Sequence, residues 1–387
     1  MMRVAVAGAG VIGASAALAL SNEGFDVTLF EAASVGEGST ARAAGVLSEV
    51  TWDDEDRIWV AESRTLYEHP PGGGPSLFRR TGSLTFADHR GDLEEASRRL
   101  SRARTEYEFL TDPGWARRFP AFRVEPASFA LYVPGDGVAS GGDYARLAAL
   151  QLRERGRSVR PHTAVRFGEP RAGAGVPVTL PEGETRMFDR VLLAAGAHTA
   201  RLADPLGVHL PLRSYRTQLV RVEHPQGDGL PPFVVHDLAL AWYWVPESQS
   251  GAYLMGDGTE HTESDPESYR STADESFLQS VAERLDTRTL GGREARLGRA
   301  WAGLCTATPD RRPLLGPIPG HPDVWVASGM NGFGVMRGPS IGRAVARAIA
   351  QDDPTGIPAL CRTDRPGLSY DTVPVFPIRE GYTLLPK

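Results

Sequence analysis

The chain has 387 residues, 41% hydrophobic and 23% charged, which is apolar enough for packed cores and too balanced for disorder; the net charge of −6 tells against a nucleic-acid surface. Its only cysteines, Cys305 and Cys361, lack His or Cys neighbours at metal-ligand spacing, which excludes a disulfide framework and a zinc site and points to a reducing cytoplasm. No apolar run approaches the ~18 residues of a membrane span, no export leader is expected, and the length calls for two interlocked domains.

Val4 to Ala7 reads as a short buried strand, Ala14 to Leu20 as a helix stopped by Gly24, and Val27 to Glu31 as a second, parallel strand. Between the first two lies Gly8-Ala9-Gly10-Val11-Ile12-Gly13. Gly8 permits a tight turn, Gly10 lets backbone approach a pyrophosphate, and Gly13 lets the helix pack closely on the strand. The free N–H groups and dipole at the helix start favour an anion. Glu31 stands where it can accept hydrogen bonds from a ribose and disfavours a 2′-phosphate, so FAD or NAD is expected rather than NADP. A glycine turn without a ligand is the competing reading, and the agreement of strand, helix and terminal acid tells against it.

Further along, the pattern predicts a helix over Arg57 to Glu68, a strand over Gly82 to Phe86, and a charge-rich helix from Leu93 to Leu110. An amphipathic helix over Asp143 to Arg155 feeds a strand near Val165. Val191 to Gly196 reads as a buried edge strand returning to the nucleotide fold. Gln218 to Val222, His236 to Val245 and Ala252 to Gly256 read as antiparallel strands. Val324 to Ala327, Gly329 to Gly338 and Ile341 to Ile349 follow as strand, Gly-rich loop and helix. Of the 42 basic residues a single one, Lys387, is lysine, so arginine must serve wherever a cation is needed.

Several stretches carry a resemblance when taken in order: Gly38-Ser39-Thr40-Ala41-Arg42-Ala43-Ala44-Gly45, Val191-Leu192-Leu193-Ala194-Ala195-Gly196, Tyr243-Trp244-Val245-Pro246, Trp301 to Asp310 ending in Thr308-Pro309-Asp310, and Gly329 to Pro339. Together they resemble the D-amino-acid oxidase superfamily of FAD enzymes, particularly its glycine oxidase and sarcosine oxidase-like branch, from Val4 to about Ile349. The resemblance implies an α/β fold: a Rossmann-like FAD-binding domain (1–75, 138–208, 299–365), an inserted antiparallel-sheet substrate domain (76–137, 209–298) and a tail (366–387). It implies extended FAD with its adenosine end at Gly8, Gly10, Val11, Ile12, Gly13, Glu31 and Ala32, and Val165 near the adenine. Ser39, Thr40, Ala43, Ala44 and Gly45 would pass beside the pyrophosphate and flavin, with Ala195, Gly196 and Gly303 nearby. Gly329, Asn331, Gly332, Gly334, Val335 and Met336 would approach the ribityl chain and pyrimidine side.

The implied chemistry removes a hydride from the carbon beside an amine, and the imine is then hydrolysed. A carboxylate anchor is needed, for which arginine's planar fork is suited. Where relatives carry that arginine this sequence has Cys305, so Arg337 and Arg216 are the candidate substitutes. Tyr243 matches a pocket-lining tyrosine, although a core strand aromatic is an equal reading; Trp301 and His236 read as structural. Leu254 and Gly303 stand where sarcosine oxidase-like members carry a lysine that promotes reaction with oxygen and a cysteine that links the flavin. FAD is therefore expected to be noncovalent, the acceptor to be oxygen or another oxidant, and the substrate a small amine or amino acid. An FAD dehydrogenase, a NAD-binding protein and a non-catalytic flavoprotein subunit are the rivals; a homo-oligomer is compatible with all.

Overall fold

A computed structural model describes residues 1–51, 53–112, 114–123, 125, 127–171, 173–225, 232–247, 251–256 and 262–375; Lys387 and the end of the tail lie outside them. The first strand, Arg3–Ala7, buries Val4, Ala5 and Val6 completely. A strand covered on both faces needs such a continuous apolar run rather than alternation. It lies inside a six-stranded sheet ordered Leu314–Ile318, His321–Ser328, Arg190–Leu193, Arg3–Ala7, Asp26–Phe30, Ser158–Arg160. Only the edge strand Leu314–Ile318 is antiparallel.

Arg190–Leu193 is thus an interior strand between two parallel neighbours, not the edge its sequence suggested. Apolarity shows that a strand is covered and says nothing of its place in the order. On one face Val4 and Val6 meet Ala14, Ala17 and Leu20 of the helix Val11–Asn22, with Gly141–Glu154 and Gly334–Gln351 beside it. On the other, Ala5 and Ala7 meet a small sheet of Arg166–Phe167, Val176–Thr179 and Thr185–Phe188.

The last helix starts at Gly334 and runs to Gln351, so much of the expected Gly329 to Gly338 loop is helical. Two features disguise it in the sequence. A Cβ at Gly338 or Gly342 would lie 2.6 Å from Val11 Cγ1 or Ile12 O respectively, so these glycines allow close packing against Val11–Asn22. Pro339 leaves the carbonyl of Val335 without its helical donor, and the buried Tyr67 hydroxyl donates to it instead at 2.8 Å.

The second sheet has nine strands. Its path runs Thr262–Glu263, Arg213–Glu223, Ala252–Gly256, Trp242–Pro246, Val234–Asp237, Ser83–Ala87, Phe129–Val133, Glu108–Thr111, with Arg296–Ala307 also paired to Arg213–Glu223. All described pairs are antiparallel except Val234–Asp237 with Ser83–Ala87. The span His236 to Val245 holds two strands and a turn, in which Ala241 has φ +53° and the Asp237 carboxylate accepts from Leu240 N–H at 3.0 Å. The charged helix is shorter than expected: Gly91–Arg102 closes through Arg104 at φ +58°, and Glu108–Thr111 is an edge strand. One face of this sheet packs Phe86, Trp242, Trp244 and Met255 against Trp115, Phe122 and the helix Glu275–Arg288. The other face looks back towards the six-stranded sheet.

Candidate active site

Between that open face and the C-terminal ends of the six-stranded sheet lies a cavity of about 770 Å³. Ala7, Phe30, Ala194 and Ala327 mark the strand ends that border it, the place where open α/β sheets bind ligands. Gly8 turns the chain there with φ +102°, and a Cβ on it would overlap the carbonyl of Ala194. A Cβ on Gly13 would overlap the carbonyl of Gly8, so helix and strand can approach only while both are glycine. The Glu31 carboxylate accepts from Ala9 N–H at 2.7 Å and Ala33 N–H at 2.9 Å, which fixes it at the rim with acceptor capacity to spare.

Two helices begin at this cavity. Val11–Asn22 has no side-chain cap at Gly10, and its first residue donates to Thr40 Oγ1 at 3.2 Å. Gly334–Gln351 has no side-chain cap at Phe333 and no acid in its first turn. Both present N-terminal N–H groups and a positive dipole end to the same space, a donor set suited to a diphosphate and to a ring that gains negative charge. The segment Ser39–Arg42 lines the cavity and is docked on the large sheet: Ser39 Oγ–H donates to Leu304 O, and Trp301 Nε1–H to Arg42 O at 3.1 Å. Asn331, at φ +50°, ties the late glycine loop to the same strand by donating its N–H to Thr306 O at 2.9 Å and accepting from Thr308 N–H at 3.1 Å.

The floor is set by register. Tyr215 stands opposite Cys305, Thr217 opposite Gly303, and Leu219 opposite Trp301; one hairpin away His236 stands opposite Tyr243. All eight border the cavity, because residues two apart share a sheet face. Tyr243 lies across the neighbouring strand, where a Cβ at Gly256 would sit 2.7 Å from its ring. Burial pushes the Cys305 thiol up to about 11, partly offset by its hydrogen bond with Tyr215, and raises Tyr215 well above the ordinary phenol range. Burial also lowers His236 to about 3, so its imidazole stays neutral at physiological pH. Its neighbour Asp237 points the other way, to a fully buried ion pair with Arg288 at 2.6 Å, so the two never form a dyad.

Every residue expected to hold the cofactor borders the cavity except Gly13, whose place is between helix and strand. Tyr243 and Cys305 also border it. The two candidate anchors do not. Arg216 alternates with Tyr215 and Thr217 and therefore projects through the opposite face, where it meets Asp274 at 2.6 Å and the carbonyls of Arg270 and Thr272. Arg337 is turned into the protein, paired with Asp56 and donating to Met330 O at 3.0 Å. Tyr215, Thr217, Leu219 and Arg311 went unnoticed in the sequence, although the alternation after Leu212 could have revealed the first three. Among the described residues no acidic, His or Cys cluster is arranged to hold a metal, and no helix is long and apolar enough to cross a membrane.

A glycine cradle at the strand ends, two helix starts without side-chain caps and a sheet floor across one cavity are the features of a dinucleotide-binding protein with a chamber between two sheets. The chain belongs to the FAD dependent oxidoreductase (DAO) family, whose description matches residues 3–348. FAD rather than NAD is therefore its cofactor. It is similar to the glycine oxidase of Pseudomonas aeruginosa, 29% identical over 365 residues that cover 92% of this chain and 97% of the relative. In fold it is similar to glycine oxidase from Geobacillus kaustophilus (TM-score 0.77, 23% identity, 92% of this chain and 96% of that one) and to L-proline dehydrogenase from P. horikoshii (TM-score 0.78, 22% identity, 92% and 95%).

Proposed function

We propose that this enzyme oxidises a small amino acid or secondary amine to an imine, which water then hydrolyses. The observation that carries this reading is the single cavity that joins the dinucleotide cradle to an aromatic, uncharged floor. When bound, FAD supplies a two-electron acceptor for the hydride that leaves the carbon beside the nitrogen. Glu31 would take the ribose hydroxyls and Val165 the adenine. Gly10, Val11 and Thr40 would lie at the pyrophosphate, and the start of Gly334–Gln351 beneath the pyrimidine side, where its dipole favours negative charge.

The floor orients the substrate and excludes water from it. Tyr215, Tyr243 and Trp301 offer flat apolar surface with polar tips. His236 and Cys305 are uncharged near neutrality, so the floor favours the neutral amine, the form from which a hydride can leave. Gly303 offers no thiol to the flavin, so FAD would be held noncovalently and be released by acid denaturation.

The test is anaerobic mixing of the holoenzyme with glycine, sarcosine, D-amino acids and L-proline, followed by admission of air. Bleaching of the flavin absorbance by one member identifies the substrate. Fast return of colour in air marks an oxidase and slow return a dehydrogenase with another acceptor. A flavin that no amine bleaches overturns the reading.

A further inference from the structure

Arg337 does not reach the cavity, and its place is an unfavourable one for a cation. It is the fourth residue of Gly334–Gln351, and its side chain runs back past the start of that helix, where it is 2% exposed. A helix dipole opposes positive charge at this end. Its Nε–H has no hydrogen-bond acceptor among the described residues, which adds to the penalty of burial. An apolar side chain would fill the same space without either penalty.

The helix has other bonds to hold it in place. The neighbouring helix Asp54–Glu68 grips it through Tyr67 to Val335 O at 2.8 Å, through Ser63 Oγ, which accepts from Ser340 N–H at 3.2 Å, and through Glu62, which accepts from the Ser340 hydroxyl. What Arg337 adds is a charge against the late glycine loop. Its guanidinium donates to Met330 O at 3.0 Å and stands 5.3 Å from the centre of the Phe333 ring. Both residues border the cavity, as do Asn331 and Gly332 between them. The partner, Asp56, belongs to the first turn of Asp54–Glu68, where its own helix dipole favours an anion, and none of that helix borders the cavity. The pair is thus polarised, with its cation on the loop and its anion behind. Arg312 and Arg365 stand nearby, and pairing with Asp53 and Asp310 leaves each neutral as a pair, so a change at Arg337 or Asp56 alters the local charge by one unit.

We infer that the Arg337–Asp56 pair tunes the reduction potential of the flavin from behind the Gly329–Phe333 loop, Arg337 favouring the reduced ring and Asp56 moderating it. Arg337 is then a positioning residue that acts through the loop and has no contact with the substrate. This rests on the reading that puts the start of Gly334–Gln351 beneath the pyrimidine side of the ring. A ring that takes up a hydride gains one negative charge. In an interior of low dielectric a fixed cation on that side favours the charged form, and a fixed anion opposes it.

The test reads charge and needs no turnover. The midpoint potential of the FAD-loaded full chain would be measured anaerobically, by stepwise dithionite reduction beside a reference dye. Arg337→Met should weaken the preference for reduced over oxidised FAD roughly tenfold, a fall of about 30 mV for a two-electron couple. Asp56→Asn, close in shape to the native residue, should raise the potential by a similar amount. The double variant should return it to near wild type, and Arg337→Lys, which keeps the charge and loses the fork, should leave it in place. Potentials that do not move, or that move in the same direction in Arg337→Met and Asp56→Asn, overturn the inference, because a pair that only holds the fold has no reason to split them by sign. If Arg337→Met purifies without flavin, Asp56→Asn and the double variant decide the sign. Dithionite replaces the amine, so the result separates from the oxidation reading. Potentials that follow the charges in a protein whose flavin no amine bleaches would sink the proposed reaction and keep the pair; bleaching by an amine with potentials blind to the charges would do the reverse.

Discussion

At its dinucleotide end the cavity is lined largely by backbone: Gly8, Gly10 and the first turns of two helices present N–H groups, and a Cβ on Gly8 or Gly13 would collide with the chain itself. At its other end it is lined by side chains standing on a sheet, and backbone matters only through register. The first end has no room for a side chain at Gly8 or Gly13. The second can change a residue such as the one at 305 while its fold persists, because strand pairing does not depend on what the cavity-facing side chain is. A scaffold built this way keeps one cofactor and can vary its substrate.

The sharpest way to break this contrast is to place the same small change at both ends. Gly13→Ala should abolish FAD binding, because its one side-chain carbon overlaps the Gly8 carbonyl and the helix must leave the strand. The protein would purify colourless, or not fold. Gly303→Ala adds a Cβ 3.3 Å from Arg42 Cβ, a contact that a shift of a few tenths of an ångström in the short segment Ser39–Arg42 relieves, and should keep its flavin. Equal flavin loss in both would erase the distinction. Next in size, Arg337→Met leaves Asp56 as an uncompensated buried charge and should cost about 3–5 kcal/mol in denaturant unfolding. Its KM for a carboxylate substrate should stay unchanged; a selective rise in KM would return Arg337 to the substrate.

The backbone end was legible in the sequence because its chemistry demands glycine at fixed spacing and leaves a motif. The fold class followed from the same motif and from the apolar strands that recur along the chain. Strand order did not, since Arg190–Leu193 is equally apolar at an edge or in the middle. The start of Gly334–Gln351 was hidden for a physical reason: Gly338, Pro339 and Gly342 are poor helix residues retained for close packing and a compensating Tyr67 hydroxyl. At the floor, the motifs that carry the family resemblance mark Tyr243 and Cys305, whereas strand parity places Arg216 elsewhere: its neighbours Tyr215 and Thr217 take the cavity side and leave it the other. Arg311 left no signal of its place at the cavity, because nothing in its residue type shows which way a turn carries it.

Between the two ends runs a seam that titrates. Asp136 is fully buried and accepts from Ser48 and Ser83 hydroxyls at 2.6 Å and from Glu49 N–H at 2.9 Å, joining the chain after Gly45 to the large sheet. Burial raises its carboxyl to about 6, against the lowering effect of those donors and Arg64. Between about pH 4 and 6 the folded state therefore holds a proton that the unfolded state has released. The stabilisation is full below about pH 4 and lost as pH rises through 6, by about 3 kcal/mol. Buried His236 works in the opposite sense, its neutral folded form gaining stability as pH rises towards 6.5, so the wild-type slope alone is a mixture. The difference between wild type and Asp136→Asn isolates the carboxyl: urea unfolding at pH 4.5, 5.5 and 6.5 should show it drift steadily, and a constant difference would remove the titration from the seam.

The smallest expected effect lies on the floor itself. Tyr243→Phe removes one hydroxyl and leaves the ring that spans Gly256, so packing is retained and stability should move by less than about 1 kcal/mol. If that hydroxyl orients the substrate, kcat/KM should fall about tenfold, the worth of one hydrogen bond, with the flavin spectrum of the free enzyme unchanged. Tyr215 makes the informative partner, since it shares the face and the neighbourhood of Cys305 but reaches the cavity from the other hairpin. Were the double Phe variant to lose only as much as Tyr243→Phe alone, the two hydroxyls would act on one substrate group as a unit; additive losses would mean separate contacts. Either outcome is compatible with a floor made of replaceable side chains. A loss of bound FAD in Tyr243→Phe is not, because it would mean that the cradle and the floor are one structure.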